Sequence, residues 1–238
     1  MTLIWVIGYL YTAVGFSIGG VIAWVLKGFQ KKIDIIYSIC AGLTLGLVSF
    51  EIAPEAIVLG NWLTFILGFI VGVMLFKILH KTLAIFIGAT KNHVKNFSLQ
   101  TGILLMLSIA IHNLPIGIVL GANQDSTVKT SLLQTILLHN IPEGIIVFTP
   151  LFIAGLGLWS WFFISLIVSL PVGIGAYIGS SIGIGSPMFW SFSISLAVGT
   201  IYMVTVKEVL LESMKESPNV LIIAIISFGV IGGFLFLI

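Results

Sequence analysis

Apolar runs of roughly twenty residues follow one another along almost the whole chain, broken only by short stretches of lysine, proline and glycine. With those residues as punctuation, the pattern predicts eight spans. They lie at about residues 3–26, 35–58, 61–79, 98–121, 130–153, 158–179, 187–207 and 219–238. A helix of about 20 apolar residues crosses the ~30 Å hydrocarbon layer, and in lipid the backbone must satisfy its own polar groups. The expectation is an all-α polytopic membrane protein of eight transmembrane helices, forming one domain over 1–238. The first run, Leu3 to Leu26, is too long for a signal-peptide core and lacks a basic leader, so it is expected to be the first span. Residues 80–97 make the one long connection, and within it L83-A-I-F-I-G reads as an interfacial turn or an extension of the third span.

Composition agrees with this pattern. Of 238 residues 59% are hydrophobic and 8% charged, where a soluble domain would carry about a quarter charged. There is no arginine. Eight spans with both termini outside place Lys27, Lys31, Lys32, Lys77, Lys81, Lys91, Lys95, Lys207 and Lys215 inside, and only Lys129 outside. A miscount by one span would scatter the lysines over both faces. Lys32 and Asp34 then flank the inner start of span two. The formal charge of +2 gives no reason to expect a nucleic-acid partner; the expected surroundings are the lipid bilayer of the cell membrane. Cys40 is the single cysteine, so no intramolecular disulfide and no thiolate cluster is expected.

The polar residues inside the spans are few. From Thr130 to Val206 the only formally charged side chain is Glu143. Two nearly identical stretches, I111-H-N-L-P-I-G and L138-H-N-I-P-E-G, fall in spans four and five. A central carboxylate costs ~2.5–3.5 kcal/mol on insertion scales and is by default a functional candidate. His139 and Glu143, at i and i+4, share a helix face. If spans four and five pack antiparallel, His112 meets both across their interface. Pro115 and Pro142 cannot donate to the carbonyls of Ile111 and Leu138, so kinks with freed oxygens are expected there. Gly117 and Gly144 allow close approach. Two imidazoles and a carboxylate suit zinc and other borderline divalent ions, with Asn113 and Asn140 as further oxygen donors or orienting partners.

Each of these residues also has a bland reading. A lone membrane His is commonly an interhelical hydrogen-bond partner, and Pro-Gly kinks are frequent. Two copies on adjacent spans, with one carboxylate a turn from a His, favour ligation. Glu51 and Glu55, near the outer end of span two, fit a vestibule or a plain interfacial position equally well. Met106 fits packing, or the lining of a pathway. His80 and His93 are too sparse for a metal-binding loop.

At these motifs the chain resembles the ZIP (Zrt/Irt-like) family of divalent-metal transporters. H139-N-I-P-E-G fits the family motif in full and H112-N-L-P-I-G at all but its fifth position. A41-G-L-T-L-G with E-I-A-P-E-A in span two, and A197-V-G-T-I-Y-M-V-T-V-K-E in span seven, extend the likeness over most of the chain. The resemblance implies eight spans with both termini outside, and zinc, iron or manganese carried into the cytoplasm. It also implies an elevator-like alternation of two helix bundles, often in a dimer. Ile116 and Leu170 stand where many members carry carboxylates that support a second metal, so a single site on His112, His139 and Glu143 is expected. Thr44 falls where some bacterial members offer a soft sulfur.

No P-loop is present, so transport runs down a gradient or is coupled to protons. No enzyme activity and no resident cofactor are expected; the metal is cargo, zinc first, with iron, manganese and cadmium as alternatives. Two other readings remain open: a degenerate member that binds metal as a sensor or structural subunit, and a membrane-embedded metallohydrolase. The latter lacks an H-E-x-x-H motif and a second carboxylate.

Overall fold

The computed structural model describes residues 3–27, 33–87, 93–123, 125–182, 186–216 and 219–237. Lys31, Lys32 and Lys91 of the expected inner set lie outside these residues, as do the side chains of Lys27, Asp34 and His93. Every regular element among the described residues is a helix: α1 (Ile4–Lys27), α2 (Ile33–Leu47), α3 (Ala53–Leu59), α4 (Trp62–Ile87), α5 (His93–Ala122), α6 (Ser126–Ile153), α7 (Leu158–Ile182), α8 (Pro187–Met203), α9 (Leu211–Glu216) and α10 (Val220–Leu237). Two π-helical segments, Val48–Ile52 and Val204–Leu210, join α2 to α3 and α8 to α9. Seven helical stretches are long and apolar enough to cross a membrane. The expected eighth span corresponds to α10, whose apolar stretch Val220–Gly233 is shorter. The chain is a multi-pass, all-α membrane protein.

Local chemistry explains several boundaries. Asp125 caps α6, its carboxylate accepting from the amides of Thr127 and Val128 at 2.7 and 3.3 Å. Asn61 accepts from the Thr64 amide at 2.9 Å and holds the tight corner into α4. Gly155, at φ +101°, ends α6: its amide bonds the Phe152 carbonyl while that of Leu156 reaches back to Leu151, a Schellman closure. The stretch L83-A-I-F-I lies on α4, which makes it an extension of the third span. Helix continues through Pro115, Pro142 and Pro171, so none of these prolines ends its span.

The helices sort into two bundles. The first holds α1, α5, α6 and α7; the second holds α2, α3, α4, α8, α9 and α10. Within each, glycines bring backbones into contact. In the first, Gly117, Gly121, Gly175 and Gly179 set α5 against α7, and Gly15, Gly19 and Gly144 set α1 against α6. In the second, Gly68, Gly72 and Gly199 join α4 to α8, and Gly42 joins α2 to α10. Lipid offers no hydrophobic drive between helices, so such close approach is what holds them.

Between the bundles the contact is of a different kind. Large side chains such as Phe76, Leu104, Leu105, Phe148 and Phe152 form a shared apolar core. A few polar links cross it, among them Tyr37 Oη to Ser98 Oγ at 3.2 Å. Among the described residues no glycine seam joins one bundle to the other.

Filling a seam is therefore expected to unfold the protein locally, whereas filling lipid-facing space is not. A Cβ at Gly72 meets the Leu196 carbonyl, while one at Gly229 meets nothing within 4 Å. Gly72→Leu should cost about 1–3 kcal/mol or more and lower the thermal midpoint in detergent. Gly229→Leu should leave it unchanged. Equal midpoints for the two variants would contradict the seam.

Candidate metal centre

α5 and α6 are consecutive, with three residues between them, and pack together within the first bundle. The paired motifs lie inside them, and their polar side chains His112, Asn113, His139, Asn140 and Glu143 are all buried. One ligand atom from each of His112, His139 and Glu143 can be chosen so that all three lie within 4.8 Å of one another. The two imidazoles are nearly parallel, 23° apart with centroids separated by 5.6 Å. His139 Nε2 stands 3.7 Å from Glu143 Oε1. Donors around a tetrahedral zinc sit roughly 3.3 Å apart, given bonds near 2.0–2.1 Å. Small rotamer changes would bring these three to that spacing.

The hydrogen-bond accounting singles out the same place. Among the described residues twelve buried side-chain N and O atoms lack a hydrogen-bond partner; six belong to this group, both ring nitrogens of His112 and of His139 and one oxygen each on Glu51 and Glu143, and two more are the amide oxygens of the neighbouring Asn113 and Asn140. Unanswered polar atoms are costly in a buried setting, so such a concentration points to a bound cation as the missing partner. The asparagines are held by their amide nitrogens. Asn140 Nδ2 donates to the Ile136 carbonyl at 2.6 Å and Asn113 Nδ2 reaches the Val168 carbonyl at 3.5 Å. Both leave an amide oxygen unused.

Glu51 is brought closer to this group than its sequence position suggested. It sits in the π segment Val48–Ile52, and its Oε1 lies 3.6 Å from His139 Nδ1. That is ion-pair range, longer than a hydrogen bond. Glu55 follows one helical turn later, half-buried at the start of α3. Sequence reasoning missed the contact between Glu51 and His139. The available signal was Pro54, which cannot donate to the Phe50 carbonyl and so favours an irregular turn at that point.

The remaining candidates fall elsewhere. Met106 packs on the main apolar core. Thr44 is buried and donates to the Cys40 carbonyl at 2.8 Å. Ile116 joins a small apolar cluster with Ile4, Leu120, Leu133, Ile136 and Ala176. Leu170 is 47% exposed on α7. His80 is engaged by Gln100 Nε2, 3.1 Å from its Nδ1.

A family model described as ZIP zinc transporter matches residues 88–238, which include both motifs and the whole three-residue cluster. The chain belongs to the ZIP family. No curated protein matches the sequence significantly. Members of the ZIP family are transporters of divalent metals, for which the metal is substrate and not cofactor, and the buried His/His/Glu cluster is a donor set of the kind such a cargo requires.

Binding to a folded state alone raises stability by about 2.7 kcal/mol at a hundredfold excess over Kd. Zinc should therefore raise the thermal midpoint of the detergent-solubilised protein by several degrees, and His139→Ala and Glu143→Ala should each abolish the rise. A full metal-induced shift in both variants would place the ion elsewhere.

Proposed function

We propose that this ZIP protein carries zinc across the cell membrane into the cytoplasm, through one central site made by His112, His139 and Glu143. Asn113 and Asn140 supply oxygen donors or orient the histidines. The observation that carries the reading is the convergence of these three buried side chains from the two motif helices. Iron, manganese and cadmium are the competing cargoes, since imidazole and carboxylate donors accept several borderline ions. A single site is supported by Ile116, whose side chain belongs to an apolar cluster, and by the exposure of Leu170.

The protein is one transmembrane domain over 1–238 with eight spans and both termini outside. The lysines support this orientation: Lys207 Nζ stands 5.4 Å over the Phe76 ring, beside Lys77, and Gln100 near the start of α5 bonds His80 near the end of α4. These basic ends thus gather on one face, which the positive-inside rule assigns to the cytoplasm. The cargo would move by sliding of the first bundle against the second. Glycine seams within each bundle and side-chain packing between them support two rigid bodies with a movable interface. The family resemblance favours a homodimer, acting as a transporter and not as an enzyme. Glu51, Glu55 and Met106 are the candidates for its pathway.

The test is flux into proteoliposomes. Wild type should accumulate zinc down its gradient, and Glu143→Ala and His139→Ala should each reduce the rate at least tenfold. Tight zinc binding by wild type without flux in any imposed gradient would favour the sensor or structural reading and overturn transport.

A further inference from the structure

The two nitrogens of His139 face two different carboxylates. Nε2 is 3.7 Å from Glu143 Oε1, on the same helix, and Nδ1 is 3.6 Å from Glu51 Oε1, on the opposite bundle. Glu51 is not among the three residues whose donor atoms all lie within 4.8 Å of one another. An imidazole that gives one nitrogen to an ion carries its proton on the other. Ligands of this kind commonly donate that proton to a carboxylate, which fixes the tautomer and raises the basicity of the ring.

We infer that Glu51 is a positioning residue for the metal, accepting the Nδ1–H of His139 and so leaving Nε2 for the ion beside Glu143 and His112. The inference rests on the proposed metal site. Closing the present 3.6 Å by about half an ångström gives an ordinary hydrogen bond. The other oxygen of Glu51, Oε2, is buried and has no hydrogen-bond partner among the described residues. The backbone is irregular where this carboxylate is aimed: Glu51 lies inside the π segment, the Ala53 amide reaches back to the Val48 carbonyl, and Pro54 follows. Single π turns of this sort are frequent at functional sites.

The position of Glu51 has a mechanistic consequence. His139 lies on the first bundle and Glu51 on the second, so if the bundles slide as proposed, the support that Glu51 gives to His139 belongs to this register alone. Displacing one bundle along the other removes the carboxylate from Nδ1 and weakens the grip on the ion. The affinity of the site is thereby tied to the position of the bundles, tighter here and looser after movement.

Cobalt(II) titration of the purified full-length protein in detergent tests this, because its visible absorption bands report the donor set while the titration reports affinity. Glu51→Gln is expected to weaken cobalt binding about 10–100-fold while leaving the band positions and intensities as in wild type. Glu51→Asp should recover part of the loss, and Glu143→Gln should alter or abolish the bands. Unchanged affinity in Glu51→Gln would overturn the inference and leave the metal site standing. Bands altered as in Glu143→Gln would make Glu51 a direct ligand, which also overturns it. No cobalt binding by wild type would remove the site itself, and this inference with it. Metal-free thermal midpoints check that each variant is folded. If Glu51→Gln is not, the comparison runs on Glu51→Asp, whose retracted carboxylate must then show weakened binding with unchanged bands.

Discussion

A carboxylate and two imidazoles buried inside membrane-length helices demand an answer to their charge and hydrogen-bonding capacity, and that demand organises the rest of the molecule. Glu143 is 2% exposed and His112 fully buried, in helices whose surroundings are apolar. Water cannot solvate them freely, and the helix backbone is already committed to its own hydrogen bonds. The economical answer is a divalent cation shared among them, which turns several costly groups into one satisfied centre. One carboxylate leaves such an ion with excess positive charge of about one unit, given neutral imidazoles. On the proposed site, Glu51 from the opposite bundle, 3.6 Å from His139 Nδ1, would meet that need without a second carboxylate on the motif helices.

The same constraint shapes the two bundles. A site that must load from one face and empty to the other cannot be welded into a single rigid block. Inside each bundle, glycines such as Gly117 and Gly175 bring backbones together so closely that a methyl group would collide with a carbonyl. Across the boundary, contact is made by Phe, Leu and Val side chains with a few hydroxyl links. Such surfaces slide at less cost than interlocked backbones, since side chains can repack where a filled seam cannot. The three clustered side chains lie in the first bundle, and Glu51, which approaches His139, lies in the second.

Much of this was legible in the sequence because lipid imposes so few solutions. Hydropathy placed the seven membrane-length helices to within a few residues, and the twin motifs with their i, i+4 pair brought His112, His139 and Glu143 together as candidates. Other features were hidden. Glu51 read equally well as a vestibule or a plain interfacial residue, because nothing in a regular helix through span two aims it at His139; the π segment at Val48–Ile52 is where the backbone departs from that helix. The second π segment, Val204–Leu210, has no proline to announce it. The ordinary appearance of Ile116 also concealed its place in a small apolar cluster with Ile4, Leu120, Leu133, Ile136 and Ala176.

The central claim is that His112, His139 and Glu143 hold the cargo ion, and X-ray absorption of the zinc-loaded protein tests it most directly. The account predicts a shell of nitrogen and oxygen donors at about 2.0–2.1 Å with the outer-shell scattering of two imidazoles, lost when His139 is replaced by alanine. A sulfur donor near 2.3 Å, which only Cys40 or a methionine could supply, or a shell without imidazole scattering would contradict it.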